Sequence, residues 1–445
     1  MTTILVILIM MVGVAILNSE QNLLVPLILT LREEGMIIGG ESWELYAGLL
    51  GFMPVIVGSL SSIIWGYLGD KFDRRLLFAA TILMGAIPTL LTALARNYYE
   101  LLIARTLSGV GIFGSYPLLN SILADITPRE RRGMVYGVAA LSIGLGVLGG
   151  MLLAGVFARE NWRVPFIVTS APLILIAPLI YVALGNVKLG MAEPEIRRLY
   201  ETGYSYEYKI KVRELLGELR RTYTIVFLFL QGIPGTVPWG VIVFWSVTFM
   251  NVIWGLPESA GTLVVMAAGL GVLTGTLMGG LLSDVLKGRG VFNSRVYISI
   301  TGIVSGMILT LALISYNYPY GDASWKALLP LMMFAFITFI PVAWAGPNVT
   351  SIISETTLPE HRATVYAIFN ITNRIGASIA PFLGGFIIVA YKSMGVEETY
   401  SYYYALTTAT LAWTICALFW LPLIKTYHSD HVKLIRTLED RARRV

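Results

Sequence analysis

The sequence predicts an all-α integral membrane protein, with twelve transmembrane helices in two pseudo-symmetric six-helix bundles. Three observations carry that reading. Apolar residues make up 56% of the chain and its mean hydropathy is +0.73, a membrane composition rather than a soluble one. A membrane span needs about 20 apolar residues, and runs of that size fall at 4–31, 43–69, 76–95, 98–124, 133–158, 163–187, 223–251, 259–283, 294–316, 327–353, 363–391 and 400–424. The halves also repeat. Asp125, Arg132, Val135 and Tyr136 recur as Glu355, Arg362, Val365 and Tyr366, each 230 positions on, and Gly149-Gly150 has a counterpart in Gly384-Gly385.

The runs divide the chain into an N-terminal bundle (1–187), a polar linker (188–222), a C-terminal bundle (223–424) and a basic tail (425–445). The first run has no Lys or Arg before it and no small-residue cleavage site, so it reads as a helix rather than a signal peptide. Loops after odd-numbered runs hold Arg32, Arg96, Arg159, Arg163, Lys326 and Lys392. Every other Lys or Arg except Arg105 and Arg374 lies in loops after even-numbered runs or in the tail. That asymmetry predicts a cell-membrane protein with both termini in the cytoplasm. Trp43, Tyr98, Tyr99, Trp162, Trp254, Trp325 and the tyrosines of 400–404 crowd the opposite side, as an aromatic belt would. Lys209–Arg221 is compatible with an amphipathic surface helix or a solvated linker. In the tail, Val432, Ile435 and Leu438 at helical spacing among basic residues predict a surface helix.

Composition excludes several classes. The net charge of +5 is spread over alternate loops, which argues against nucleic acid. The single cysteine, Cys416, excludes an intramolecular disulfide and a Cys-rich metal site. His428-Ser429-Asp430-His431 has metal-compatible side chains but is short and isolated, so no metal is assigned. No nucleotide loop or activated nucleophile stands out, so neither an enzyme nor direct ATP drive is expected, and no cofactor is implied.

Gly66-Tyr67-Leu68-Gly69-Asp70-Lys71-Phe72-Asp73-Arg74-Arg75 joins runs 2 and 3, and half of it is charged. Gly66 and Gly69 permit close helix approach, while Asp70 can receive an arginine or a helix N-terminus. Gly280-Leu281-Leu282-Ser283-Asp284 echoes it 214 positions later. This stretch resembles the signature loop of the major facilitator superfamily, Gly-x-Leu-x-Asp-Arg-x-Gly-Arg-Lys, with Asp73 in place of its glycine. Arg105-x-x-Ser108-Gly109-x-Gly111 is similar to the family's run-4 motif, Arg-x-x-x-Gly-x-Gly. The run-5 antiporter signature keeps Gly144, Gly146, Gly149 and Gly150 but lacks its proline. The resemblance implies two six-helix halves that rock about a midplane site, with Gly66, Gly69, Asp70, Arg74, Arg75 and Asp284 in gating roles. Gly114-Ser115-Tyr116 and Pro238-Trp239-Gly240 look like the Spinster branch, which handles lysolipids and sphingoid phosphates.

Charge inside a span costs at least about 2.5 kcal/mol at its centre, so each instance asks for a function. Glu20 is the acid that lies well inside a run, which makes it the candidate proton carrier. It sits ~15 Å from the outer end of run 1, and Arg105 sits ~9 Å from the outer end of run 4, at about 1.5 Å per residue. The resemblance implies the same pairing of a run-1 acid with a run-4 arginine. A fixed structural pair is the alternative. Arg374, near the midplane of run 11, is the candidate anion-binding residue. Asn22, Gln231, Asn348, Asn370 and Asn373 are candidate polar substrate contacts. Trp239 and Trp344, with Trp245, are candidate cavity walls. Pro234 and Pro238 predict a bent or broken run 7, and Pro341 and Pro347 the same in run 10.

Together these residues predict a monomeric secondary transporter, coupled to protons, that moves a small organic solute of anionic or amphipathic character among membrane lipids. A multidrug exporter with an aromatic cavity, a Spinster-type lysolipid transporter and a non-transporting membrane sensor are the alternatives.

Overall fold

The computed structural model describes residues 3–127, 132–185, 222–357 and 362–442. The chain divides into two compact units, Met1–Lys209 and Ile210–Val445. Lys209–Arg221, the segment compatible with a surface helix, lies outside the described residues. So do the side chains of Asp70 and Leu438. Among the described residues, eleven helical stretches are long and apolar enough to cross a membrane.

The first unit contains α1 (Thr3–Ser19), α2 (Leu24–Glu33), α3 (Trp43–Lys71), α4 (Arg74–Leu94), α5 (Tyr98–Ile126), α6 (Arg132–Phe157) and α7 (Val164–Leu184). Its core gathers Met10, Leu17, Phe78, Ile82, Ile122 and Leu173. The second contains α8 (Tyr223–Trp254), α9 (Glu258–Gly288), α10 (Ser294–Ile314), α11 (Trp325–Val342), α12 (Ala345–Thr356), α13 (Arg362–Ser393), α14 (Glu398–Trp420) and α15 (Leu423–Ala442). α14 and the start of α15, bent by 45°, form a twelfth candidate span. Each unit repeats one packing scheme. α3 lies on α5, α4 on α5 and α7, and α1 on α6 and α7. In the second unit α9 lies on α11, α10 on α11 and α14, and α8 on α13 and α14.

On continuity, run 7, expected to be bent or broken, shows no break, and the first span shows one that was not expected. The run-7 helix α8 is unbroken over 32 residues despite Pro234 and Pro238. The first span, expected to be continuous over 4–31, is broken instead: Glu20–Leu23 form turns between α1 and α2. Pro26 explains the break. It has no N–H to give the Asn22 carbonyl, which takes Val25 N at 3.3 Å instead. Upstream, the Asn18 amide bonds Val14 O at 2.8 Å and the Ser19 hydroxyl bonds Ile16 O at 2.6 Å, so side chains compete for the carbonyls of the preceding turn. Run 10 does break where expected, directly after Pro341, between α11 and α12.

α6 seats the broken span. A Cβ at Gly146 would lie 2.8 Å from the Ala15 carbonyl carbon, and one at Gly150 would lie 2.7 Å from that of Ser19. A glycine every fourth residue lets the two backbones meet.

The signature stretch is less of a loop than expected. α3 runs through Gly66 and Gly69 to Lys71, leaving Phe72 and Asp73 between helices. Gly69 packs against Leu118 and Gly66 faces Pro117. Asp73 takes no left-handed turn. It caps α4, accepting Arg75 N at 2.9 Å. The Arg75 guanidinium bonded to it holds its carboxyl below the usual carboxylate range. The cap therefore persists at neutral pH and is lost only as the pH falls through that lowered value. Arg75 also donates to Gly185 O, and Arg74 bonds Gly69 O at 2.9 Å and Asp125 at 2.6 Å.

The repeat mate of Asp125, Glu355, is the hub of the second unit's basic end. Lys287 pairs with it at 2.8 Å and Arg295 at 3.1 Å, while Arg295 also reaches Asp284 at 3.0 Å. The tail helix α15 joins the same hub. Tyr427 donates to the Glu355 carboxylate, and His431 Nδ1 meets Glu355 O at 2.8 Å. Its docked face is Leu423, Tyr427, Asp430 and Leu434, whereas Ile435, one of the residues expected to anchor it, is exposed. Asp430 accepts Thr224 N at 3.0 Å and Thr224 Oγ1 at 2.8 Å, capping α8 from another helix, since Thr222 provides no side-chain cap. Asp430→Ala is expected to cost about 1 kcal/mol, as cap deletions do. It should also speed amide hydrogen exchange at the start of α8 and along α15.

The aromatic belt is only partly a belt. Tyr99, Trp325 and Tyr400 are exposed, but Trp43, Tyr98, Trp162 and Trp254 are core residues.

Candidate functional site

In the first unit the functional residues gather at the break in the first span. Glu20 follows the last residue of α1 and is fully buried. One carboxylate oxygen, Oε2, accepts the Thr89 hydroxyl of α4 at 2.8 Å. The other, Oε1, is buried without a hydrogen-bond partner among the described residues. Arg105 of α5 does come to Glu20, as expected, but not to its carboxylate. It donates to the main-chain oxygen of Glu20 at 3.0 Å, a carbonyl that the turns leave open. The Arg105 Nε and second terminal nitrogen have no hydrogen bond among the described residues, and its guanidinium lies 5.7 Å from the Phe166 ring centre. Next to this site, Tyr116 donates to Asn18 Oδ1 at 2.5 Å.

Among the described side chains of α4 and α7, the ionisable ones lie toward the helix ends: Arg74, Arg75 and Tyr181. Arg105 of α5 is the cation that the described residues bring to Glu20. Thr89 was invisible to sequence reasoning because its relation to Glu20 spans 69 positions and two helices. Asn22 sits in the break itself, half-buried.

In the second unit a cavity of about 260 Å³ opens among the helices. Gln231 and Trp239 of α8 line it, as does Asn373 of α13, all three candidates from the sequence. Phe369, Trp413 and Cys416 complete its inner wall and were not singled out as candidates. The signal for the last two was their position one turn apart in run 12.

Other expected contacts lie elsewhere. Arg374 does not line this cavity; it is half-buried on α13 and engaged within the protein. Asn370 is exposed on the same helix. Asn348 is fully buried and clamped, accepting Ser283 Oγ at 2.6 Å and donating to Trp344 O at 3.0 Å. Trp344 packs over Gly279 and Gly302 rather than into the cavity. Trp245 is core, its indole N–H on Pro381 O at 3.0 Å. The side chains of the 428–431 run are engaged as well. His428 and His431 lie against Phe292, and Asp430 caps α8.

The sequence matches the family model for the Major Facilitator Superfamily over residues 4–339 and 291–439. A multi-drug resistance efflux pump PmrA homolog from Lactococcus lactis subsp. lactis (strain IL1403) is 24% identical over 390 residues, 86% of this chain and 88% of that protein. A solved bacterial homolog to the human lysosomal transporter Spinster, inward-facing and unoccupied, aligns with a TM-score of 0.76 at 16% identity, covering 96% of this chain and 98% of that one. A D-xylose-proton symporter aligns at 0.66 and 16% identity, covering 92% and 97%. At such identities the structural likeness shows the fold alone, which is the twelve-helix fold the sequence predicts. The chain belongs to the major facilitator superfamily and is a multi-pass membrane transporter rather than an enzyme.

Proposed function

We propose that the chain is a secondary active transporter that moves a small organic solute by alternating access, coupled to protons through Glu20. The observation that carries this reading is the carboxyl group in the break of the first span. It is fully buried, one oxygen is held by Thr89, and the other is left for a proton. A carboxyl so placed binds a proton where water is scarce and loses it where a charged partner or water reaches it. Arg105 is close enough to be that partner, and its two idle N–H-bearing nitrogens leave it the capacity. The basic loops after even-numbered spans support an orientation with both termini in the cytoplasm, and we place the protein in the cell membrane.

In proteoliposomes, solute accumulation driven by a pH gradient is expected in the native protein and lost in Glu20→Gln, which keeps the shape and removes the titration. Accumulation against a gradient by that variant would refute the coupling role.

A second reading, multidrug export, is favoured by the aromatic cavity of the second unit. Drug-exclusion assays in cells expressing the protein would separate it from uptake of a nutrient.

A further inference from the structure

The cavity of the second unit is not confined to the spans flanking its mouth. It is lined from all six, including α10 through Ile303 and α14 through Trp413 and Cys416, so it runs into the interior of the bundle. Among the described residues, its lining contains no Asp, Glu, Lys, Arg or His. The charged hub of the same unit, Glu355 with Lys287 and Arg295, does not reach it. Two indoles meet at one corner: Trp239 and Trp413 are 6.2 Å apart between ring centres and nearly perpendicular at 76°. That geometry forms an aromatic corner against which a flat apolar molecule can pack, edge to face or offset-stacked.

The polar groups on the walls are neutral. Gln231 gives one N–H to Leu228 O at 3.1 Å and its oxygen takes the Cys416 thiol at 3.3 Å, leaving its amide a second N–H and a second lone pair. Asn373 faces it from α13. Two glycines of α8 make the room. A Cβ at Gly232 would lie 2.7 Å from Asn373 Oδ1, and one at Gly235 would lie 3.2 Å from both Cys416 Sγ and Gln231 Oε1.

We propose that this interior pocket binds a small uncharged aromatic molecule bearing an amide or hydroxyl group. Its ring would stack in the Trp239–Trp413 corner and its polar group would bond Gln231 and Asn373. The inference rests on the reading of the chain as a solute transporter and names the class of solute. A carboxylate or ammonium would lose its hydration here without meeting an opposite charge. The amides can both donate and accept, so they match a neutral polar group without a net charge. The volume suits one ring system, since sites for drug-sized ligands begin at about 300 Å³.

Cys416, the chain's single cysteine, reports on the pocket without any substitution. The test is modification of the full-length protein in membranes by N-ethylmaleimide, followed by mass spectrometry, with benzamide, benzoate or benzylamine present. Benzamide is expected to slow modification by at least about tenfold relative to either charged isostere, because one uncompensated charge exceeds the 1.4 kcal/mol that a factor of ten represents. Gly235→Val, which fills the space between Cys416 and Gln231, should erase the protection. Equal protection by benzoate or benzylamine overturns the proposal, as does labelling that no probe slows. If the thiol does not react, intrinsic tryptophan fluorescence decides: benzamide must shift it in the native protein and not in Trp239→Phe/Trp413→Phe, and no shift overturns the proposal. Loss of pH-driven accumulation with benzamide protection intact would remove the proton-coupling reading and leave the pocket. Protection by benzoate with accumulation intact would do the reverse.

Discussion

Arg105→Met is expected to abolish gradient-driven transport while the melting temperature stays level or rises. The two halves of that expectation have separate causes. Arg105 is almost fully buried and makes one hydrogen bond, to the Glu20 main-chain oxygen, while its other nitrogens have none among the described residues. Removing it leaves that carbonyl open, at about 1–3 kcal/mol. It also relieves the burial of a guanidinium, and replacing buried charge by an apolar side chain of similar volume is often neutral or stabilising by about 1–4 kcal/mol. The terms nearly cancel, or favour the variant. Transport has no such offset. If the cation answers each change in the charge of Glu20, its loss severs proton from solute by up to about a hundredfold, near the top of the range for coupling between sites. Thermal unfolding in detergent and uptake in proteoliposomes, measured on one preparation, separate the roles. A large fall in melting temperature with residual coupling intact would show that Arg105 is a structural cap for the broken helix.

Glu355→Gln is expected to do the opposite: a large loss of stability whatever happens to transport. The carboxylate holds Lys287 at 2.8 Å and Arg295 at 3.1 Å and accepts the Tyr427 hydroxyl. Taking away its charge leaves two cations facing each other, with Arg295 almost buried and Asp284 as its remaining acid. Breaking a buried pair from one side costs about 3–5 kcal/mol, and this hub is partly open to solvent, so about 3 kcal/mol is expected. For a unit of this size that is on the order of 10 °C in melting temperature. Arg295→Met in the same chain should recover part of the loss, because the unpaired guanidinium goes with it. No recovery would mean that Glu355 acts chiefly by docking the tail helix through Tyr427 and His431.

Glu355 also shows what was readable in advance. Its place as the repeat mate of Asp125 was visible, and each acid does bind an arginine of its own unit, Arg74 or Arg295. The tail helix was expected, but its docking on the second hub was not, because the face that docks is spaced by Asp430 and Tyr427 rather than by the apolar residues alone. The break in the first span was also missed, although its cause, Pro26 after a run of side chains that compete for backbone bonds, lay in plain order. Of the bend or break that the prolines of α8 suggested, the break does not occur. Neighbouring helices can satisfy the carbonyls that a proline frees, so a proline in a membrane span need not end it.

The sequence by itself determined the class, the number of spans, the two-fold repeat and the rarity of charge in the interior. These follow from hydropathy and spacing, which are sums along the chain and need no knowledge of neighbours. Only the tertiary structure decided what that charge touches. Arg105 bonds a backbone oxygen, Thr89 holds Glu20, Arg374 stands apart from the cavity, and Trp413 and Cys416 line it. Each of those outcomes depends on which way a side chain leaves its helix and on what another helix, tens or hundreds of residues away, presents within a few ångströms.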